Sequence, residues 1–471
     1  MNGYVLTAVA LGLATAAAAS RREMPFEPGG LRQAQAARVA VGPNLRVSEP
    51  GVSHVETYIA AHPQYAANLI IVASHDHGPD ALHAEALVTG DSGRTWSVVP
   101  LLRGEGKAVE RLRYTVDNWV TFGPDGGAYL VTLGAGEASH PWGSSPMLVY
   151  RSSNRGVAWA GPTVLPGNAY DQPKIVAGGS AADPRLYIAV LAVGRDQRVF
   201  ASPVEGDGVA LLISTDRARS FTRMAFIAPD NLAHQAYVPA VLPDGSLLVP
   251  YSDYPVIGVD ELAAIRRDTA SQMFNAARAY VARSPNGGQS FDAPRFLGDV
   301  PRMFVGGLEL AVDTSGGSFR GRVYAAWNGG PSDARDVTVA RSTDGGRRWS
   351  KTRFRAEGAG PAHFYSLAVS RRGVLGVTWV QHESQPGRAG CYRIYFAASV
   401  DGGVSFTQPT AVSDAVSCPT AEGNPRTIGR WARGNDYMGM AVAVDGTFHP
   451  VWVDARTGVY EVYTSRIRVQ P

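Results

Sequence analysis

The sequence predicts an all-β fold assembled from repeats of one four-stranded antiparallel unit. An eight-residue pattern, which we call the octet, recurs six times at spacings of 63, 62, 70, 58 and 57 residues. Regular spacing of this kind is typical of a repeat protein. Hairpins of two apolar strands recur between the octets. The chain of 471 residues contains 53 Gly, 31 Pro and 18% charged residues, a composition that favours short strands and tight turns over long helices.

The octet has the chemistry of a rigid turn. It begins with Ser or Thr, usually has Gly at position five, and ends with an aromatic residue that we expect to pack inward. The hydroxyl at position one and the side chain at position three can bond nearby backbone N–H groups, while Gly supplies a positive φ. The residues at position three are Asp91, Asn154, Asp216, Asn286, Asp344 and Asp401.

Seven apolar hairpins accompany the six octets, at residues 61–74, 122–133, 176–193, 241–251, 312–327, 369–380 and 444–453. Each unit therefore runs strand, turn, strand, loop, strand, octet, strand, which is the order of a β-propeller blade. The last unit lacks its fourth strand, and residues 44–49 are available to supply it and so remove an exposed sheet edge. The sequence predicts a seven-bladed β-propeller. A six-bladed propeller is the alternative if residues 44–49 and the last hairpin form an incomplete sheet.

The domain boundaries follow from the two ends of this repeat. Residues 5–19 are apolar and run into small residues, which predicts a signal peptide over 1–20, a leader or linker over 21–41, and one propeller domain over 42–471. We therefore expect a secreted or periplasmic protein. Between the third and fourth octets, residues 256–282 combine good helix formers with Asp260 as an N-cap, which predicts a helical insert that is either a surface decoration or a lid.

Charge and cysteine usage limit the partners. The net charge of +3 and the lack of basic clusters with interleaved aromatics argue against nucleic acid. We expect a monomer with no membrane association beyond export and no cofactor. Cys391 and Cys418, the two cysteines, flank the hairpin of the sixth octet, and in an exported protein they predict a disulfide, with two buried thiols as the alternative.

One segment has the appearance of a metal site. In Ser74-His75-Asp76-His77 the two histidines alternate, so they lie on one side of an extended segment. No third histidine or carboxylate follows at a known zinc spacing, so we interpret the segment as an exposed polar loop and predict no metal site. Inward-facing Asp residues leave room for a structural Ca²⁺, which prefers oxygen ligands.

One face of such a propeller is free to carry function. The octets and the short Asp-Gly turns share a face, so the loops between second and third strands, and those between blades, form the opposite one. Side chains of these loops are expected to line a common mouth: His75, His77, Asp117, Trp119, Tyr170, Asp171, Tyr237, Asp253, His363, Asp436 and Asp454. Each of them could instead cap a strand end.

The octet resembles the Asp box, or BNR repeat, of the sialidase superfamily, with six matches in register. Three copies depart from the pattern at Ala158, Ala218 and Arg348. The resemblance implies a propeller whose ligand is a glycan or glycoconjugate. Because such boxes also occur in proteins without glycosidase activity, the alternative is a non-catalytic propeller that binds a glycan or a protein.

The resemblance also implies roles for individual residues. Sialidases bind the substrate carboxylate with three arginines and use a tyrosine nucleophile, a glutamate base and an aspartic general acid. Here the tyrosine would be Tyr365 or Tyr437, the base Glu56 or Glu383, and the acid Asp76. The carboxylate would be held by members of the set Arg113, Arg430, Arg433 and Arg456. The N-terminal Arg-Ile-Pro of sialidases is absent, the nearest segment being Leu45-Arg46-Val47.

Overall fold

The strands form antiparallel sheets, which confirms the all-β prediction. A computed structural model describes residues 37–76, 82–101, 112–136, 146–165, 170–192, 208–227, 233–254, 276–301, 308–328, 336–355, 360–388, 390–420 and 437–470. Regular structure within these ranges consists of 31 strands. None of the described segments forms a helix that could span a membrane. The predicted signal peptide and residues 21–36 of the predicted leader lie outside the described residues.

The N-terminal strands contribute to two sheets. Strands β1 (Arg38–Val41) and β2 (Leu45–Arg46) join the sheet of the C-terminal strands. An eight-stranded sheet contains β3 (His54–Ala61), β4 (Leu69–Asp76), β5 (Leu82–Thr89), β6 (Ser97–Pro100), β7 (Leu112–Phe122), β8 (Ala128–Gly136), β9 (Met147–Ser152) and β10 (Ala160–Leu165). Its halves, β3–β6 and β7–β10, meet through one parallel pair, Leu82 opposite Tyr114. Each half is by itself a four-stranded antiparallel group.

Four separate sheets follow in chain order. The first contains β11 (Tyr170–Gly179), β12 (Pro184–Ala192), β13 (Gly208–Ser214) and β14 (Thr222–Ile227). The second contains β15 (Ala233–Ala236), β16 (Ala240–Val241), β17 (Leu247–Tyr254), β18 (Ala276–Ser284) and β19 (Arg295–Pro301). Because β15 and β16 both pair with β17, they share one strand position. The third contains β20 (Glu309–Val312), β21 (Val323–Asn328), β22 (Val337–Ser342) and β23 (Ser350–Phe354), and the fourth β24 (Ala362–Val369), β25 (Leu375–His382), β26 (Tyr392–Ser399) and β27 (Thr410–Ala411).

Both ends of the described chain meet in the last sheet. This sheet contains β28 (Gly439–Val442), β29 (Phe448–Asp454), β30 (Glu461–Thr464) and β31 (Ile467–Gln470) together with β1 and β2. Leu45 lies opposite Thr464, so the segment expected to supply the fourth strand does so. Pairing also begins earlier than expected, since β1 lies within the predicted leader and pairs with β31. The alternating Val39 and Val41 pack against the core of this sheet, which explains the earlier start.

The predicted helical insert is partly a strand. Residues 276–282 belong to β18, which pairs with β17 on one side and β19 on the other. Ala277, Ala279 and Val281 alternate with more exposed residues, as a strand requires, and their burial outweighs local helix propensity. Residues 255–275 lie outside the described part of the chain.

The core lies between the faces of neighbouring sheets. One cluster joins the first described sheet to the last: Ile59 and Leu69 of β3 and β4 pack with Val451 and Val462 of β29 and β30. Comparable clusters lie between the other groups that follow one another along the chain. Burial of these apolar faces is the main favourable term in the free energy of folding.

All six octets share one set of hydrogen bonds. The position-one hydroxyl donates to the side-chain oxygen of position three, and the position-five N–H donates to that hydroxyl. The position-seven N–H donates to the same side-chain oxygen. Burial would raise the pKa of the Asp216 carboxyl, but these bonds outweigh burial and lower it to about 2. The turns are therefore held by ionised carboxylates or by amides.

The predicted disulfide between Cys391 and Cys418 is confirmed. It lies beside the bridge between Tyr392 and Ser417, where β26 begins. The bond closes a loop with a sequence separation of 27 residues that contains the sixth octet. It fixes the start of β26 to the segment that follows β27.

Candidate functional site

Four of the strand groups carry the same irregularity in their first strand. In β3, β7, β11 and β24 the pairing register shifts at a β-bulge. Each bulge contains a residue other than Gly with a positive φ: 60° at Glu56, 57° at Asp117, 53° at Gln172 and 49° at Phe364. A left-handed conformation costs such a residue roughly 1–2 kcal/mol. Bulges that persist despite this cost commonly re-aim a side chain at a functional site.

The residues directly after these bulges converge. We define the central cluster as Tyr58, Trp119, Lys174, Ser366, Glu309 and Tyr437, of which the first four resume strand pairing after a bulge. The Tyr58 ring stacks on Trp119 with centroids 3.7 Å apart. The Lys174 ammonium lies 4.1 Å from the centroid of Trp119 and 4.2 Å from that of Tyr437, in cation–π geometry. The repeated bulge thus assembles one site from several sheets.

Glu309 is a buried acid within this cluster. Its Oε1 accepts a hydrogen bond from the Tyr58 hydroxyl at 3.1 Å, and its Oε2 accepts one from the Leu367 N–H at 3.2 Å. Burial outweighs these bonds and raises the pKa of the Glu309 carboxyl to about 8. The group is therefore mainly protonated at neutral pH. A buried carboxyl that keeps its proton near pH 7 has the property required of a general acid.

Tyr437 is paired with a carboxylate. Its hydroxyl donates a hydrogen bond to Asp117 Oδ1. The backbone N–H of Asp117 donates to Glu56 Oε2 at 2.7 Å, and the Ser74 hydroxyl lies 3.2 Å from that oxygen. Tyr437 and Glu56, two of the predicted catalytic residues, therefore belong to one network, but the carboxylate that accepts from the tyrosine hydroxyl is that of Asp117. A hydroxyl nucleophile needs an adjacent base of this kind.

The cluster surrounds a cavity. Trp119, Lys174, Glu309 and Tyr437 line a space of about 20 Å³, enough for roughly one water molecule. Tyr237 and Tyr365, both predicted to lie at the mouth or in the site, also line it. A proton donor, a tyrosine with a carboxylate partner and a cation therefore face one small volume.

The other predicted catalytic residues do not belong to the central cluster. Glu383 accepts a hydrogen bond from Tyr395 at 2.9 Å on β26, and Asp76 is the last residue of β4, where its N–H donates to Ser53. Tyr365 packs among apolar side chains, and burial raises its pKa well above the ordinary tyrosine value. Tyr437 is thus the predicted tyrosine that has a carboxylate partner in the central cluster.

The predicted arginine clamp is not found among the described side chains. Arg456 donates to Asp454 at 2.7 Å and to Asp414, so its guanidinium is held by one carboxylate at the end of β29 and one that follows β27. Arg113 lies on β7, but its side chain is outside the description. Arg430, Arg433, Asp436 and His77 lie outside the described residues.

The remaining mouth residues mostly support their own sheets. Asp253 accepts two bonds from Arg278, at 2.9 and 2.8 Å, and Asp454 accepts one from Trp452 at 3.0 Å. His363 stacks on His382. Tyr170 and Asp171 open β11 and are half-buried. The alternative that polar side chains cap strand ends accordingly describes Asp253 and Asp454.

One group of described residues has the donor atoms to hold a metal ion: His54, His75 and Glu85 on β3, β4 and β5. Burial would raise the pKa of the Glu85 carboxyl, but hydrogen bonds to both histidines outweigh burial and lower it to about 2. The carboxylate is therefore ionised at neutral pH, as a metal ligand must be.

Tyr58, Lys174 and Glu309 were not among the site residues predicted from the sequence. Two features of the sequence could have identified Glu309 and Lys174. Glu309 interrupts an otherwise apolar run from Leu308 to Val312. Lys174 is one of only three lysines in a chain that contains 41 arginines. A charged residue inside a buried strand is costly unless paired, and is therefore a site candidate.

The comparisons with known proteins concern structure. No protein-family model matches the sequence, and no curated protein matches it. A mutant of an α-L-arabinofuranosidase from Fusarium graminearum, in complex with an iminosugar inhibitor, has a TM-score of 0.50 at 12% identity, covering 76% of this chain and 98% of that one. A protein of unknown function from Dyadobacter fermentans has a TM-score of 0.47 at 11% identity, with coverages of 92% and 99%. A Trypanosoma rangeli sialidase with the inhibitor DANA has a TM-score of 0.39 at 11% identity, with coverages of 92% and 60%. The likeness to the arabinofuranosidase shows that the two chains share a fold.

Proposed function

We propose that this chain is a seven-bladed propeller that binds and hydrolyses a glycan on the face opposite the octets. The blade count is supported by seven groups of strands within the described residues: β3–β6, β7–β10, β11–β14, β15–β19, β20–β23, β24–β27, and β28–β31 with β1 and β2. The packing of the first group on the last supports a closed ring. Closure leaves only short, protected sheet edges.

One observation carries the catalytic proposal: Tyr437, whose hydroxyl donates to Asp117, and the protonated Glu309 line one cavity. In the first step Tyr437 attacks the anomeric carbon and its proton passes to Asp117. Glu309 gives its proton to the departing glycosidic oxygen. In the second step Glu309 takes a proton from water, which attacks the glycosyl–tyrosine, and Tyr437 recovers its proton from Asp117. Two displacements retain the configuration of the sugar.

Lys174 favours an anionic substrate. Its ammonium lies between the rings of Trp119 and Tyr437 on the cavity wall, where a sugar carboxylate would find a buried cation. A single ammonium is a point charge without the fork that arginine offers to a carboxylate. We therefore propose an exo-acting hydrolase of the sialidase type in which Lys174 has part of the role that the resemblance assigns to arginines.

The test is turnover of aryl glycosides by the full chain. A panel containing a sialoside and an α-L-arabinofuranoside separates anionic from neutral sugars. We expect sialoside turnover, with kcat at least 100-fold lower in Tyr437→Phe and in Glu309→Gln. Tyr395→Phe is the matched control, because its hydroxyl contacts Glu383 instead of the cluster. Equal turnover by wild type and Tyr437→Phe would exclude the tyrosine mechanism.

The alternative is a propeller that binds a glycan or a protein without turnover. The engagement of Arg456 by two carboxylates favours it, because a sialidase clamp needs free guanidinia. Glycan binding to wild type without hydrolysis, weakened by Trp119→Ala, would support this alternative. Binding by an aromatic platform depends on Trp119, whereas turnover depends on Glu309.

We also infer that the protein is exported as a monomer. The apolar run over residues 5–19 and the Cys391–Cys418 disulfide support export, since disulfides persist in oxidising compartments. Fractionation of expressing cells and light scattering of the purified protein test the two statements separately.

A further inference from the structure

Three neighbouring strands place histidines in one row. His54 on β3 lies opposite His75 on β4, and His75 lies opposite His83 on β5. Residues directly opposite one another in antiparallel strands project from the same face, and residues two apart along a strand do so too. Glu85, two residues after His83, therefore shares this face. The pairing register thus brings three imidazoles and one carboxylate together at one end of the sheet.

The donor atoms are close. Nε2 of His54 lies 2.8 Å from Glu85 Oε1, and Nδ1 of His75 lies 3.4 Å from Glu85 Oε2. The ligand atoms of the three residues all lie within 4.8 Å of one another. Ligands at about 2.0–2.1 Å from a tetrahedral zinc ion are separated by about 3.3 Å. Small rotations of the side chains would bring all three within reach of one ion.

A second hydrogen bond orients His54. Its Nδ1 lies 2.9 Å from the Val52 carbonyl oxygen. A carbonyl oxygen only accepts, so Nδ1 donates to Val52 and Nε2 is the ring atom that faces Glu85, where it would release its proton on binding a metal ion. Metal-binding histidines commonly donate their other ring N–H to a backbone carbonyl in this way. The ring orientation of His54 is therefore that of a ligand.

Burial gives the group an inner and an outer side. His54 is 1% exposed and Glu85 is 8% exposed, whereas the side chain of His75 is 18% exposed. A fixed, buried pair with one more accessible histidine provides an entry path for an ion. Two imidazole nitrogens and one carboxylate oxygen suit Zn²⁺ and related divalent transition metals better than Ca²⁺ or Mg²⁺.

We propose that His54, His75 and Glu85 form a binding site for a divalent transition-metal ion of the Zn²⁺ class, with His83 in register to complete it. The ion would tie β3, β4 and β5 together at the end of the sheet opposite the first octet. The site shares no residue with the central cluster, so the proposal does not depend on the proposed hydrolase activity.

The first test is stoichiometry. Tag-free full-length protein, stripped by dialysis against EDTA, is titrated with Zn²⁺ and then with Ca²⁺, and bound metal is counted by mass spectrometry. We expect one Zn²⁺ per chain, no competition by Ca²⁺, and a higher Tm at saturating Zn²⁺ because the ion binds the folded chain. Failure to bind one equivalent, or equal binding of Ca²⁺, would overturn the proposal.

The second test locates the ion. His75→Asn and Glu85→Gln are expected to weaken Zn²⁺ binding at least tenfold and to abolish the rise in Tm. His382→Asn is the matched control, because it removes a histidine of a similar stacked pair, His363–His382, that belongs to no three-donor group among the described residues. Equal loss in this control, or no loss in His75→Asn, would contradict the assignment.

A spectroscopic measurement on wild type covers the case in which a variant fails to fold. Co²⁺ replaces Zn²⁺ in such sites, and its visible absorption reports tetrahedral nitrogen and oxygen ligands. We expect one equivalent of Co²⁺ to produce that spectrum and one equivalent of Zn²⁺ to remove it. A spectrum identical to that of hydrated Co²⁺ would overturn the proposal.

Discussion

The Tyr58 hydroxyl donates a hydrogen bond of 3.1 Å to Glu309, a residue 251 positions further along the chain. Tyr58 follows the bulge of β3, and Glu309 opens β20, so the bond joins two sheets that are distant in sequence. The protonation state of Glu309 therefore affects more than its own strand. The central cluster is both a candidate site and a connection between sheets.

Glu309 makes the stability depend on pH. Because burial raises its pKa from 4.5 to about 8, the folded chain keeps a proton that the unfolded chain releases. The free energy of unfolding should therefore fall as pH rises from about 4.5 to about 8, by up to roughly 1.4 kcal/mol per unit. Glu309→Gln should remove this contribution, as measured by urea unfolding at pH 5 and pH 9. Parallel wild-type and variant curves would show that Glu309 does not titrate in this range.

His449 should make the folded chain less stable as the pH falls into the acidic range. Burial lowers its pKa from 6.5 to about 4, so between these pH values the unfolded chain binds a proton that the folded chain does not bind. Stability should then be lost as pH falls from about 6.5 to about 4, by roughly 2–3 kcal/mol in total. His449→Gln should lose less stability than wild type between pH 7 and pH 4.5 in thermal unfolding. Identical losses would indicate that other groups cause acid unfolding.

The third octet contains the strained copy of the repeated turn. Ala218 occupies position five with φ 60°, where four other octets have Gly with φ between 83° and 94° and the first has Gly93 with φ 78°. Ala218→Gly should relieve this strain and raise the free energy of unfolding by up to about 1 kcal/mol.

Gly288→Ala is the reciprocal change. A Cβ there would lie 2.7 Å from Leu211 Cδ2 and 2.8 Å from Ile213 Cδ1, so the variant should be destabilised by roughly 1–3 kcal/mol. Chemical denaturation of the two variants beside wild type checks both signs. A stable Gly288→Ala would mean that the neighbouring sheet repacks without cost.

The disulfide should contribute to stability through the unfolded state. Replacing Cys391 and Cys418 by Ser together should lower the free energy of unfolding by about 3 kcal/mol, because the unfolded chain regains the freedom of a closed loop. Thermal unfolding of wild type with and without reductant gives an independent measurement. An unchanged Tm on reduction, with loss of the disulfide verified by mass spectrometry, would contradict this account.

The local features of the fold were predictable because short segments encode them. Each octet holds its turn with bonds among eight consecutive residues, so its chemistry could be read from positions one, three and five. The role of residues 44–49 followed from a count of hairpins against octets. The start of β1 at Arg38 could not be predicted, because its Arg-Val-Ala-Val pattern is short and its partner strand is more than 420 residues away.

The candidate site was less predictable because it depends on register. The bulges in β3, β7 and β11 bring Tyr58, Trp119 and Lys174 together. No local sequence pattern predicts the left-handed backbone conformation of Glu56 or Gln172. For the same reason, the segment around His75 was wrongly interpreted as an exposed polar loop, because Ser74, His75 and Asp76 belong to β4. Alternation favoured His77, whereas the pairing of β3, β4 and β5 brings His54 and Glu85 to His75.

Strand β2 is synthesised long before β30, the strand with which it pairs. Leu45 leaves the ribosome early, but Thr464, which lies opposite it, is made 419 residues later. At about 5–20 residues per second, β2 waits on the order of half a minute for its partner. During that time Val47 and its neighbours have no last sheet to pack against. A chain that stops before β30 therefore leaves β2 unpaired at its other end. Truncated products expose this unpaired strand, which chaperones and proteases can recognise.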